Sequence, residues 1–355
     1  MQKLKDLYTK EYIEKLAFDI GKLYQPFDQR SFKDTIFDPL WKSLELKQRM
    51  RHIATTLHIF LPLPYPKQLE ILKTISQNYR SLESMFFQDF VGVYGLKNFE
   101  ESMNALAVFT IDSSSEFAIR EFILRYEEQT MEQMKLWAKN PNEHIRRLSS
   151  EGCRPRLPWA IALPSFKKDP SKVFEIIELL KNDSSKYVQK SVANNLNDIS
   201  KDHPKLVIEF VRANLGISKS LDFICKHGSR TLLKKGEIEV LKLFGFETVD
   251  CIINNFIVDE SISIGDNLFF SFELKTDTKI EKIRIEYMIE YLKSNGKYSK
   301  KIFMLHQNKL ERGIKIFAKK QSFQDMTTRK HYVGKHFISI VVNGEIKITK
   351  EFFVI

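Results

Sequence analysis

The sequence predicts an α+β protein of two domains: an α-solenoid of HEAT-like helical repeats, then an immunoglobulin-like β-sandwich. Three observations predict it. Apolar residues recur at helical spacing almost everywhere before Asp250. After it, apolar and polar residues alternate, as in half-buried strands. Two helical segments of the first part also align with each other at a fixed offset. A length of 355 residues allows a full hydrophobic core in each domain. We place the domains at residues 1–248 and 249–355.

In the first part, Leu44 to Phe60 reads as one helix and Pro66 to Tyr79 as the next, with proline tolerated in a first turn. Phe99 to Phe109 and Glu116 to Tyr126 follow. The polar run Asp112-Ser-Ser-Ser115 ahead of Glu116 suits an N-cap region. Asp169-Pro170 and His203-Pro204 mark helix starts, and Asn140-Pro-Asn142 and Asn182-Asp-Ser-Ser185 mark breaks. The segment Asn140 to Leu148 aligns with the one that begins at Asp183. Ile145 then matches Val188 and Arg147 matches Lys190, an offset of 43 residues, within the roughly 40–47 of HEAT-type helix pairs. Such pairs must stack to bury their apolar faces, and stacking creates a concave surface.

In the second part, strands are expected at Ile252 to Val258, Leu268 to Leu274, Ile283 to Tyr291, Lys300 to Leu305, Gly313 to Ala318, His336 to Val342 and Glu345 to Ile355. Ser294-Asn-Gly296 and Asn343-Gly344 are turn signals, the latter a strong hairpin one. About seven short strands in some hundred residues indicate a sandwich of immunoglobulin architecture.

Hydrophobic residues at 43%, with 28% charged, are ordinary for a soluble globular protein. The net charge of +11 and isoelectric point near 9.3 point to a polyanionic partner. Cys153, Cys225 and Cys251 are too few and too scattered for a disulfide framework or a zinc cluster. They suit a reducing interior, and we expect a cytoplasmic protein. The N-terminal residues lack a signal-peptide core, and no apolar run is long enough to span a membrane. Gly-rich phosphate loops, zinc-protease motifs and nucleophile elbows are missing. His144, His203 and His227 are isolated and read as structural, so neither metal nor cofactor is expected.

The chemistry concentrates between Glu116 and Asp198. Arg147 and Glu151 share a helix face, as do Lys190, Asn194 and Asp198 one repeat later. With Glu116, three acids converge on one groove among Arg120, Arg146, Arg147, Arg154 and Arg156. Taken singly, each acid is an ordinary surface partner of a base, and Trp159 an ordinary core or interface residue. Together they need another explanation, because a basic strip suits phosphates while acids within it oppose them.

At these residues the sequence resembles the AlkC family of alkylpurine DNA glycosylases, in the AlkC/AlkD superfamily. The matching runs are Ser113-Ser-Ser-Glu-Phe-Ala-Ile-Arg120, Ser150-Glu-Gly-Cys-Arg-Pro-Arg-Leu-Pro-Trp159 and Ser191-Val-Ala-Asn-Asn-Leu-Asn-Asp198. Weaker similarity includes Leu63-Pro-Tyr-Pro-Lys67, Ser229-Arg-Thr-Leu-Leu233 and Thr328-Arg-Lys-His-Tyr-Val-Gly-Lys-His336. Departures are mild: Gln189-Lys190 stands where two basic residues are usual, and Val333 where proline is common.

The resemblance implies hydrolysis of the N-glycosidic bond of cationic methylated bases, chiefly 3-methyladenine, in duplex DNA, without a deep base-flipping pocket. It assigns catalysis to Glu116, Glu151 and Asp198, with Trp159 beside them. We give water activation to Asp198 and electrostatic stabilisation to the other two. Arg120, Arg146, Arg147, Arg154, Arg156, Lys190 and Arg230 are the expected phosphate contacts, with Arg329, Lys330, His331 and Lys335 from the sandwich. The partner is double-stranded DNA with alkylated bases, bound by a monomer. Two other readings remain: a non-catalytic HEAT-repeat nucleic-acid binder, and a protein–protein scaffold whose charge is generic.

Overall fold

The structure, a computed structural model, describes residues 3–327 and 329–355. Met1, Gln2 and Thr328, which the N-terminal reading and the last motif touch, lie outside the described residues. The helices are α1 (Lys10–Leu23), α2 (Gln29–Ile36), α3 (Leu46–Phe60), α4 (Tyr65–Ser76), α5 (Phe86–Tyr94) and α6 (Phe99–Asp112). There follow α7 (Ile119–Arg125), α8 (Glu127–Trp137), α9 (Glu143–Gly152), α10 (Pro164–Lys168), α11 (Ser171–Leu180) and α12 (Lys186–Ile199). The last are α13 (Pro204–Asn214), α14 (Lys219–Gly228), α15 (Arg230–Lys234) and α16 (Ile238–Leu243). No described helix is long and apolar enough to cross a membrane.

The aligned segments form two stacked helical hairpins. α8 packs on α9 and α11 on α12; α9 then packs on α12, and α8 on α11. The matched residues Ile145 and Val188 are both buried, as their equivalence requires. α12 also packs on α14, which extends the stack.

The strands are β1 (Ile252–Val258), β2 (Ser261–Ile262), β3 (Asn267–Thr276), β4 (Ile280–Leu292), β5 (Tyr298–Leu310), β6 (Gly313–Ser322), β7 (Gly334–Val342) and β8 (Glu345–Val354). They form two sheets, β1-β3-β6 and β2-β8-β7-β4-β5. The core between them gathers Leu268, Phe272, Ile285, Phe323, Ile340 and Phe352, all essentially inaccessible. All seven expected strands are present. The two-residue β2, parallel to β8, is too short to show as alternation.

The chain divides into two compact units, one of residues up to Asp202 with Gly216–Gly228, the other of His203–Leu215 with Ser229–Ile355. The change of secondary structure near Asp250 is therefore not where the compact units part. Within the second unit α13 packs on α16, so these helices share a unit with the sandwich.

Asn343 and Gly344 join β7 to β8 with φ of 47° and 85°, the two left-handed residues of a tight hairpin turn. A Cβ on Gly344 would stand 2.8 Å from Leu241 Cδ1 and 3.0 Å from the Gly236 carbonyl. Gly344→Ala is expected to cost about 1–3 kcal/mol, read as a lower denaturation midpoint in urea.

Candidate active site

Two helices of successive hairpins and the turn ahead of a third bring the expected acids side by side. α9 starts where the Asn142 side chain accepts from the His144 backbone N–H at 2.9 Å. Its spacing puts Arg147 and Glu151 on one face. α12 starts at Ser185, whose hydroxyl accepts from the Tyr187 N–H. Tyr187, Ser191 and Asp198 then fall on one face of α12, four and seven residues apart. Gly152 ends α9: a Cβ there would stand 2.6 Å from Ile119 and 2.9 Å from Met134, so only glycine lets this helix end approach α7 and α8 so closely.

Glu116 does not open α7, as the sequence suggests, but lies in the turn of residues 116–118 before it. Ser115 fixes that turn. Its carbonyl accepts from the Ile119 N–H and its hydroxyl donates to the Leu106 carbonyl at 2.8 Å.

Cations and carboxylates alternate across the site. Arg147 donates to Glu116 Oε2 at 2.5 Å and lies 3.5 Å from Glu151 Oε1. Arg154 donates to Glu151 Oε1 at 2.6 Å and to Asp198 Oδ2 at 2.8 Å. Lys201 donates to Asp198 Oδ1 at 3.1 Å, and Ser191 to Glu151 Oε2 at 2.6 Å. Among the described residues every carboxylate oxygen of the three acids has a side-chain partner except Glu116 Oε1, and the Glu116 carboxylate also accepts from its own backbone N–H.

Burial sorts the acids. The Asp198 side chain keeps 3% of its surface and that of Glu151 7%, while that of Glu116 keeps 14%. Burial lifts the Glu116 carboxyl above its ordinary 4.5; Arg147 pulls it down and Glu151 pushes it up, and burial prevails. Burial also works against the charges of Arg147 and Arg154. Even so, Glu116 and Glu151 hold Arg147, and Glu151 and Asp198 hold Arg154, above the usual guanidinium value.

Trp159 stands apart from this chain of charges. It lies between α9 and α10, is 66% exposed and has a φ of 63°. That left-handed conformation costs a bulky residue about 1–3 kcal/mol. Its ring meets no other ring or cation among the described residues. It is neither a core residue nor in contact with the acids.

Several expected DNA contacts are placed elsewhere. Arg120 is wholly buried and donates to the carbonyls of Ile161, Gly152 and Arg154 at 2.7, 2.9 and 2.8 Å. Burial pushes its pKa down to about 10. An enclosed guanidinium cannot reach a phosphate, so the expectation for Arg120 is corrected: it fastens the loop that carries Arg154 and Trp159. Arg146 is tied to Asp183 at 2.6 and 3.1 Å and to two backbone carbonyls. Arg156 is paired with Asp202 at 2.6 Å nearer the surface. Arg147 and Arg154 serve the acids. Lys190 is exposed and without an ion pair among the described residues.

In the second unit His331 is corrected too. Its side chain is fully covered, packed on Phe323 and Tyr291, and burial lowers its pKa. Arg329 lies over the Tyr291 ring, and Lys335 pairs with Glu351 at 2.8 Å. Arg230 and Lys330 are exposed.

Sequence reasoning missed Tyr187, Ser191 and Lys201. The Tyr187 ring backs the Arg147 guanidinium at 5.0 Å. Counting back from Asp198 along one helix face would have found both α12 residues.

Comparison with known proteins follows the same outline. Residues 96–231 match the family model described as DNA alkylation repair enzyme, and 253–355 that of the YhaZ C-terminal Ig-like domain. The chain is 42% identical to the protein YhaZ of Bacillus subtilis (strain 168), over 99% of both chains. It is 36% identical, with a TM-score of 0.86, to the Pseudomonas fluorescens alkylpurine DNA glycosylase AlkC bound to DNA containing an abasic site analog. That alignment covers 100% of this chain and 99% of the other. The chain belongs to the AlkC family. Its helical region followed by an Ig-like domain is the AlkC-like fold.

Removing the central cation tests the site's energetics. Arg154→Met leaves Glu151 and Asp198 enclosed without the charge they share, a loss of about 3–5 kcal/mol. Urea unfolding should show that loss, and neutralising Asp198 in the same variant should recover part of it.

Proposed function

We propose that the protein is a monofunctional DNA glycosylase of alkylation repair. It hydrolyses the N-glycosidic bond of cationic N-methylated bases in double-stranded DNA, 3-methyladenine foremost and 3-methylcytosine with it. The observation that carries this reading is the line of three carboxylates fixed by two guanidinium groups, with Glu116 the least buried of the three. The likeness to an AlkC structure bound to DNA with an abasic site analog supports DNA as the partner.

A methylated purine cation departs without being protonated, so no general acid is needed. The barrier lies in a sugar that turns cationic and in a water that must attack it. A carboxylate about 4 Å from that cation contributes roughly 4 kcal/mol at an effective dielectric near 20, or about a thousandfold in rate before desolvation. The paired arginines reduce this figure and hold the acids in place without reorganisation, the condition under which fixed charges favour a transition state. Cationic lesions are favoured because their bonds already break with little assistance. The exposed indole of Trp159 adds cation–π attraction.

The sequence reading gives water activation to Asp198. Enclosure of Asp198, with partners on both oxygens, favours Glu116 for that role, and Asp198 and Glu151 as stabilisers. Hydrolysis needs no Schiff base, so no strand cleavage follows. Lys190, Arg230 and Lys330 are the exposed basic residues offered for phosphates. We take the protein to act as a cytoplasmic monomer without metal or cofactor. A non-catalytic binder is disfavoured because most arginines of the cluster are committed to protein acids or carbonyls and not presented outward.

Chromatography of bases released from methylated duplex DNA tests the reading. 3-Methyladenine should appear with the wild-type protein and fall about a hundredfold or more with Glu116→Gln, while duplex affinity stays within a fewfold. DNA bound without base release would establish the non-catalytic alternative. Because ionised Glu116 is the active form and its pKa is raised, excision should increase with pH through a midpoint above the ordinary 4.5. The Glu116→Gln variant should lack that limb.

A further inference from the structure

The two segments that carry Glu116 and Trp159 border an opening. A cavity of about 520 Å³ lies in the first unit, lined by α3 and α5 on one side and by Phe117, Ala118, Ala160 and Ile161 on the other. Those four are the two residues that follow Glu116 and the two that follow Trp159. Where packing is open, position depends on polar ties. Arg120 supplies buried ones to the carbonyls of residues 152, 154 and 161, and Ser115 supplies another to the Leu106 carbonyl. None of them reaches Trp159, whose left-handed backbone is the strained point of the loop.

Lys47, in the first turn of α3, reaches both segments. Its ammonium donates to the Trp159 carbonyl at 2.7 Å and lies 4.8 Å from the centre of the Phe117 ring. That carbonyl belongs to the residue held at φ 63°, and Phe117 is the next residue after Glu116. One exposed side chain thus ties the strained backbone of Trp159 to the turn of Glu116, across the mouth of the cavity.

We propose that Lys47 is a positioning residue for base excision. It holds Trp159 in its left-handed conformation and sets the indole relative to the Glu116 carboxylate, without itself touching DNA. This inference rests on the glycosylase reading above. Loss of the tie frees the loop to relax and leaves the acid chain intact, since Arg147 and Arg154 are anchored independently of Lys47. The effect therefore belongs in the chemical step and not in affinity.

The test uses the full-length protein with Lys47→Met, which keeps the stem and removes the donor, and Lys47→Arg, which keeps the charge and donor. Trp41 and Trp137 are buried, so acrylamide quenching of fluorescence reports chiefly on Trp159, with Trp159→Phe as the control. Lys47→Met should change the quenching of the free protein and lower the single-turnover rate of 3-methyladenine release about tenfold, with duplex affinity within twofold. Lys47→Arg should restore both. An unchanged rate with weaker binding and a salt slope shallower by about one would make Lys47 a phosphate contact and overturn the proposal. Unchanged quenching, whatever the rate, would overturn it too, because the action is then not through Trp159. If the wild-type protein released no base, the glycosylase reading would fail, and positioning for excision with it. Quenching would then still show separately whether the Lys47–Trp159 tie exists.

Discussion

Charged side chains withdrawn from water must find counter-charges, and this requirement organises the first unit. Burying a lone carboxylate costs several kcal/mol even after relaxation. Here Glu116, Glu151 and Asp198 share Arg147 and Arg154 in turn, and each guanidinium fork bridges two acids. The arrangement contributes little net stability over an apolar core of the same volume. What it provides is position. Once α9 and α12 are stacked, each acid meets at least one arginine, and Ser191 and Lys201 hold Glu151 and Asp198 further, so the carboxylates are fixed before any substrate arrives.

The surrounding backbone is shaped to the same end. Gly152 lets the end of α9 press against α7 and α8, which sets where Arg154 leaves the helix. Arg120 then gathers three carbonyls of the following loop with a single buried guanidinium. Its position in the interior explains how an arginine in a motif-rich segment can hold backbone without facing solvent. The indole of Trp159 stays exposed and the carboxylate of Glu116 partly so, and an aromatic face and an acid are each suited to a cation.

Much of this was legible in the chain. Periodicity located the helices and strands because amphipathic packing imposes it, and the 43-residue offset between Ile145 and Val188 survived as two stacked hairpins. The pairing of Arg147 with Glu151 followed from helix geometry alone. Arg120 was misjudged for a physical reason. Sequence shows that Arg120, Arg146 and Arg154 are cationic, but not whether the nearest anion is a phosphate or a carboxylate or carbonyl of the same fold. His331 misled in the same way, as a polar residue in a basic run whose ring lies in an aromatic core. The exposed, strained state of Trp159 was also hidden, because a left-handed φ at a tryptophan has no sequence signature.

If the aligned carboxylates stabilise a cationic sugar, that preference should be measurable without any bond being broken. Duplexes carrying a protonated pyrrolidine in place of one deoxyribose, or a neutral tetrahydrofuran at the same position, differ there chiefly in charge. The account predicts that the protein binds the cationic duplex more than about tenfold tighter, over 1.4 kcal/mol, and that Glu116→Gln and Glu151→Gln each reduce the difference. Equal affinity for the two duplexes would contradict it.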